Sequence, residues 1–177
     1  MKKIILLLAV FSSSLLLAQN IPQLKLTPNG VEPIVVEVDG LTASEIYKKA
    51  LNWVQETYKN PDEVLKANIT DEKIRVNGYD DDAYSWKAGG MTHNMGMQYT
   101  LEISFKDGKY KYECIVGEIN INGGQRLNFS QFLFKNNGDV KKTYSYAVPS
   151  LEQTMNDLSK SFYNYVSGKT SKEDSGW

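Results

Sequence analysis

Few residues in this chain are of a type that could do chemistry. Its 177 residues include one histidine, His93, and one cysteine, Cys114. Nucleophilic catalysis needs a base within hydrogen-bond reach of a serine or cysteine, and a third group to orient that base. Cys114 falls on the inward side of an alternating hairpin, and His93 falls in a stretch rich in glycine and methionine. No Ser-His-Asp or Cys-His arrangement can be assembled from them. A zinc site asks for three or four ligands held together, which one histidine and one cysteine do not supply. Asp80-Asp81-Asp82 lacks the alternate spacing and closing glutamate of a calcium loop, and neighbours in extended chain point to opposite sides, so a solvated turn is the reading. Asn68-Ile69-Thr70 and Asn128-Phe129-Ser130 match the glycosylation acceptor pattern by composition alone. These residues point away from an enzyme, and no cofactor or metal is expected.

What remains is a candidate binding surface. Residues 79–97 fit neither the helical nor the strand period, and read as a long mobile loop with a short strand near 83–86. Tyr84, Trp86, Met91, Met95 and Met97 stand there among glycines. Aromatics and methionines are the adaptable groups of promiscuous binding surfaces. The same side chains can instead fold back over a sheet and complete its core. A cavity between a twisted sheet and a single covering helix is a second place for an apolar ligand.

The elements that must position such a surface are clearer. Tyr99–Val116 is a hairpin: two alternating runs flank Asp107-Gly108, the signature of a type I′ turn. A two-residue turn sets Lys106 against Lys109. Phe105 then faces Tyr110, Ile103 faces Tyr112, Leu101 faces Cys114 and Tyr99 faces Val116. All four pairs lie on one side, so a slip of one residue would put every apolar group in water. Ile34–Val38 reads as a further strand, 64–69 and 73–77 as two more, and 127–134 as a last one. Gly117 marks a bulge.

Two helices supply the cover for that face. Thr42 and Glu45 form a capping box for the first, and Ile46, Ala50, Trp53, Val54 and Thr57 trace one stripe before Asn60-Pro61 stops it. Ser150 and Gln153 predict a second capping box, followed by Leu151, Met155, Leu158, Phe162 and Val166, with Gly168 closing the helix. Strand, helix, several antiparallel strands, helix is an α+β order: a two-layer domain with a curved antiparallel sheet under two helices.

Both ends lie outside this unit. Lys2-Lys3, the apolar run to Leu17 and Ala18 form a secretory signal peptide over residues 1–18, so the protein is expected to be exported, periplasmic or secreted, with no membrane span after cleavage. Residues 19–30 read as a linker or loosely attached strand, the domain as 31–167, and 168–177 as a disordered tail. The chain carries 20 basic and 21 acidic residues, and two of the basic ones belong to the leader. A mildly acidic exported domain has no electrostatic footprint for nucleic acid. A single cysteine forms no internal disulfide, so the core alone must hold the fold.

The chain resembles a known family through Ser44-Glu45-Ile46-Tyr47 with Ala50-Leu51-Asn52-Trp53-Val54, through Lys73-Ile74-Arg75-Val76-Asn77-Gly78, and through Tyr99-Thr100-Leu101-Glu102-Ile103 with Lys106-Asp107-Gly108-Lys109-Tyr110. These are similar to the exported Bacteroidetes-type proteins grouped as domain of unknown function 4468. That resemblance implies a fold like that of the TATA-binding protein over residues 31–167, and no catalytic residue. DNA binding does not follow from the fold. Three functional readings are open: an exported non-enzymatic domain binding a partner protein or small apolar ligand, a structural envelope component with no ligand, and a hydrolase or metal-dependent enzyme, for which the sequence offers least.

Overall fold

The computed structural model describes residues 21–121 and 125–169. The expected signal peptide over 1–18 and all but Gly168 and Lys169 of the expected tail lie outside those residues. In chain order the elements are β1 (Leu26–Thr27), β2 (Gly30–Val31), β3 (Ile34–Glu37), α1 (Ala43–Thr57), α2 (Pro61–Val64), β4 (Leu65–Ile69), β5 (Lys73–Ala88), β6 (Met91–Lys106), β7 (Lys109–Ile121), β8 (Gln125–Asn128), α3 (Phe129–Leu133), a 3-10 turn at Lys142–Tyr144, and α4 (Ala147–Ser167). Six strands form one antiparallel sheet in the order β3-β7-β6-β5-β4, with β8 added beside β7. The two long helices, α1 and α4, lie on one face. The architecture is the α+β arrangement expected from the alternation of residue types.

The central hairpin has the register that alternation dictates. Lys106 pairs with Lys109, Phe105 with Tyr110, Ile103 with Tyr112, Leu101 with Cys114 and Tyr99 with Val116. The turn itself differs from the I′ expectation, since Gly108 alone has positive φ (74°) and Asp107 does not. Asp107 is recruited elsewhere: its carboxylate accepts from the Ala43 N–H at 2.8 Å, while the Gly108 N–H donates to Leu41 at 2.8 Å. The chain leading into α1 therefore clamps the turn. Beyond Tyr99 the partners become Met97 and Ile119, so Gly117-Glu118 opposes a single residue and forms the expected bulge.

Residues 79–97 are not a loop. They form the outer half of the β5–β6 hairpin, which turns at Gly89-Gly90 with φ of 57° and 80°. The alternation is hidden because Asp80 pairs with Met97 but Tyr84 pairs with Met95, which leaves Asp81, Asp82 and Ala83 as a bulge opposite Gly96. The aspartate triplet is thus no turn between strands: Asp80 is the last paired residue before the bulge, Asp81 and Asp82 lie in it, and the Asp82 N–H donates to Asp80 Oδ1 at 2.9 Å. Two glycines, Gly78 and Gly96, are covered on opposite faces by the rings of Tyr99 and Tyr79.

The helices dock by their apolar stripes. Ile46, Tyr47, Ala50, Trp53 and Val54 are buried from α1, whereas Thr57 is exposed. The α1 capping box of Thr42 and Glu45 is present. From α4, Leu151, Met155, Phe162 and Val166 are buried, and Leu158 half-buried. Phe162 is the hub: its ring meets Trp53 at 5.1 Å and Tyr110 at 4.8 Å, both edge-on. The helix begins a turn earlier than its sequence signals imply. Ala147 and Val148 are buried against the sheet, and Pro149 sits in the first turn, where its missing N–H is no loss. The Ser150–Gln153 box does not form. Ser150 Oγ accepts from the Ser85 N–H at 3.0 Å, and Gln153 turns to Asp157. Gly168 closes the helix with φ 71°, and the Lys169 N–H donates to Asn164.

Two further expectations are corrected. Residues 127–134 are a strand end followed by the short helix α3, because Asn128 caps it by accepting from the Ser130 N–H at 2.9 Å, and Phe129, Phe132 and Leu133 carry helical spacing. The expected linker before residue 31 is fastened to α4. Asn156 accepts from the Leu24 N–H at 2.8 Å and donates to its carbonyl at 3.0 Å, and Glu152 accepts from Leu26 at 3.0 Å. Leu24 is fully buried. A side-chain amide here replaces a neighbouring strand, which no periodicity in the segment announces.

Candidate functional site

Where α4 crosses the bulged part of the sheet, the two layers do not close. A cleft of about 360 Å³ remains, floored by Met97, Cys114 and Met155 and walled by Tyr99 and Leu158. Thr154, Asp157 and Ser161 border it from α4, and Asp80 from β5. The volume falls within the range of small-molecule sites, as does the make-up of an apolar floor with a few polar groups.

Each wall has a local cause. Odd-numbered residues of β6 face inward, which puts Met97 and Tyr99 under α4. The bulge at 81–83 holds Asp80 at the edge of the sheet through the Asp82 N–H. It also releases the Ala83 carbonyl, which accepts from Thr154 Oγ1 at 2.6 Å and so pins α4 across the strand. On the helix, Thr154, Asp157, Leu158 and Ser161 follow at i, i+3, i+4 and i+7, the row beside the buried stripe. Ser161 Oγ accepts from Trp53 Nε1 at 3.2 Å. Asp157 accepts from Gln153 Nε2 at 2.9 Å on each oxygen.

Burial raises the pKa values of Cys114, Tyr99 and the neighbouring Tyr58. Burial pushes the Cys114 thiol up to about 12, far from the thiolate a nucleophile needs. The hydroxyls of Tyr58 and Tyr99 lie 3.1 Å apart. Burial raises both above the ordinary phenol value, and for Tyr99 the Asp80 carboxylate adds to the effect.

The five residues singled out from sequence are only partly brought together. Met97 lines the cleft. Tyr84 and Met95 are paired across β5 and β6 and are buried in the core. Trp86 is half-buried, stacked on His93 at 5.1 Å and tilted against Tyr144 at 5.6 Å. Met91 is exposed at the hairpin tip. Packing therefore accounts for Tyr84 and Met95, as the alternative reading of the stretch holds. His93 and Cys114 sit far apart. Cys114 faces Leu101, eight residues along β6 from His93, which is roughly 26 Å of extended strand. Asn68 accepts from the Tyr47 hydroxyl at 2.8 Å, and Asn128 is the α3 cap. Among the described residues, no group of three or more His, Cys, Asp or Glu could hold a metal ion, and no helix is long and apolar enough to cross a membrane.

Sequence reasoning anticipated a cavity beneath the second helix but not its lining. Asp80 was assigned to a turn, and Thr154, Asp157 and Ser161 belong to the polar side of an amphipathic pattern. Their one signal is position: they flank the Leu151–Val166 stripe.

A one-sided antiparallel sheet under two long helices, with bulges in its central strands, defines a TBP-like α+β domain. Residues 34–115 match the family described as "Domain of unknown function (DUF4468) with TBP-like fold", in agreement with the motifs noted in the sequence. Two solved structures have this fold. A TBP-like protein from Parabacteroides distasonis superposes with a TM-score of 0.58 at 14% identity, over 76% of this chain and 90% of that one. A DUF4468 family protein from Bacteroides ovatus superposes with a TM-score of 0.56 at 11% identity, over 88% and 92%. No curated protein matches the chain.

Proposed function

We propose that this is an exported, non-enzymatic domain that binds a small, largely apolar ligand in the cleft between the sheet and α4. The observation that carries this reading is the cleft itself. An open cavity of about 360 Å³ lies between the sheet and α4, above the buried side chains of Met97, Cys114 and Met155 and beside Tyr99 and Leu158. The neutral thiol of Cys114 and its distance from His93 favour binding over catalysis. Export rests on the leader sequence of residues 1–18.

Filling the cleft tests the reading. Leu158 is half-buried on its wall, so Leu158→Trp places an indole in the space without removing a core residue. Native mass spectrometry of protein purified from its own source should show a retained small molecule, which the variant loses while keeping its circular dichroism and melting temperature. Equal occupancy in the folded variant removes the cleft from consideration. A partner protein is the second reading, supported by the uncovered sheet face, where Val35, Tyr79 and Ile115 are each about half exposed.

A further inference from the structure

The β5–β6 hairpin runs on past its neighbour. Among the described residues β6 pairs with β7 only as far as Met97 and Ile119. β5 and β6 continue from Tyr84 and Met95 through Trp86 and His93 to Ala88 and Met91, beside the Gly89-Gly90 turn. This outer part is a two-stranded arm, backed by the 3-10 turn where Trp86 meets Tyr144. We propose that the tip of the arm and the chain beside it dock on the surface of an anionic phospholipid bilayer. Met91 enters the acyl boundary, the aromatic rings lie at head-group depth and the lysines meet the phosphates. The surface is separate from the cleft, and neither reading depends on the other.

The first observation behind this is exposure. Of the exposed large hydrophobic side chains among the described residues, the two most exposed are Met91 at 64% and Tyr146 at 59%. Both belong to this end of the molecule, since Lys87 Nζ on the arm lies 5.1 Å over the Tyr146 ring. Behind them Trp86 stacks on His93, and Tyr144 packs on Phe132 at 4.1 Å, so an adaptable methionine tip stands on a base of rings. Tryptophan and tyrosine settle at membrane interfaces because each joins an apolar body to a polar edge.

The second observation is charge. The chain has 21 acidic residues, yet residues 83–101 and 140–151 contain none, while they hold Lys87, Lys141 and Lys142. Lys87 and Lys142 are exposed, and none of the three lysines is in an ion pair among the described residues. Lys141 Nζ donates to the Gln131 carbonyl at 2.6 Å, which fixes it without cancelling its charge. The acidic residues that bound these stretches are engaged or set back: Asp139 pairs with Lys135, Glu152 with Lys25, and Asp82 lies in the bulge at the inner end of the arm. A soluble anion would leave Met91 and Tyr146 unexplained. A second copy of this end would set lysines against lysines. An anionic bilayer satisfies both the apolar tip and the unpaired cations.

The test is sedimentation of the chain from residue 19 onward with phospholipid vesicles. That chain contains every described residue and lacks the leader, whose apolar run would bind lipid by itself. It should bind vesicles of equimolar phosphatidylcholine and phosphatidylglycerol, bind phosphatidylcholine alone far more weakly, and lose affinity at high salt. Each lysine near an anionic surface is worth about fivefold in partitioning, so Lys87→Gln with Lys142→Gln should weaken binding about 20-fold. Met91→Ser should weaken it about tenfold, through the lost burial of one apolar side chain. These side chains are exposed, so both variants should keep the circular dichroism and melting temperature of the parent. Absence of binding to the mixed vesicles, equal binding to the two vesicle types, or undiminished binding by either variant overturns the proposal. Self-association that Met91→Ser abolishes, without vesicle binding, also overturns it and assigns the tip to a second copy.

Discussion

Gly78 and Tyr99 offer a sharp test of how the bulged sheet is held. They are paired across β5 and β6, and the Tyr99 ring lies against the Gly78 backbone. A Cβ built on Gly78 would meet Cζ, Oη and Cε2 of Tyr99, all well inside the 3.0 Å that real Cβ contacts respect. Its backbone is in an ordinary conformation, so Gly78→Ala carries no φ penalty and isolates the steric effect. The ring cannot move freely, because its hydroxyl pairs with Tyr58 and its edge walls the cleft. Overpacking of a tight site costs about 1–3 kcal/mol, and losing the hydroxyl pair about 0.5–1.5 kcal/mol more. For a domain of this size a total of about 2–4 kcal/mol lowers the melting temperature by about 5–15 °C. The assay is a double-mutant cycle by urea or thermal unfolding. In a Tyr99→Ala background, Gly78→Ala should cost almost nothing, since the ring it strikes is gone. A Gly78→Ala variant that melts within about 1 °C of the parent, or a penalty that persists without the ring, refutes the reasoning.

Other outcomes follow from the same contacts. Phe162→Ala empties the hub between Trp53 and Tyr110 and should cost about 3–5 kcal/mol in chemical denaturation. Asn156→Leu removes both bonds to the Leu24 backbone, which should speed protease cleavage within 21–31 before any other site and lower stability by about 1–3 kcal/mol. The Cys114 thiol should resist alkylation at pH 8 in the native state and react once the protein is unfolded. Burial raises its folded value from 9.0 to about 12. The folded state therefore holds its proton more tightly, and that stability is complete below pH 9.0 and lost as the pH climbs towards 12. The buried tyrosines shift the same way, so the melting temperature should fall over this alkaline range; a flat profile there contradicts the burial of these groups.

How much of this was legible depended on whether the cause was local. The central hairpin was, because four apolar cross-strand pairs follow one turn on one face, and a slip of one residue would expose them. Its turn geometry was not, because Asp107 is drawn away by Ala43, a contact across 64 positions of sequence. The α1 start was legible because Thr42 and Glu45 satisfy one another. The similar pair in α4 misled, since Ser150 is claimed by Ser85 on a distant strand. Residues 79–97 read as irregular because a bulge breaks the period-2 rule that identifies strands, and because Gly78 and Gly96 are made tolerable only by rings on other strands.

Composition and periodicity alone determined that an apolar-faced antiparallel sheet would be covered by two amphipathic helices, since burial of those faces admits no other pairing of elements. Only the tertiary structure decided where the cover fails to close. The cleft exists because a bulge on β5 and the polar row of α4 meet at one place, and its charge arises because Asp80 and Asp157, 77 positions apart in the chain, are brought to the same opening. Periodicity registers what each segment buries, and carries no information about which segments meet.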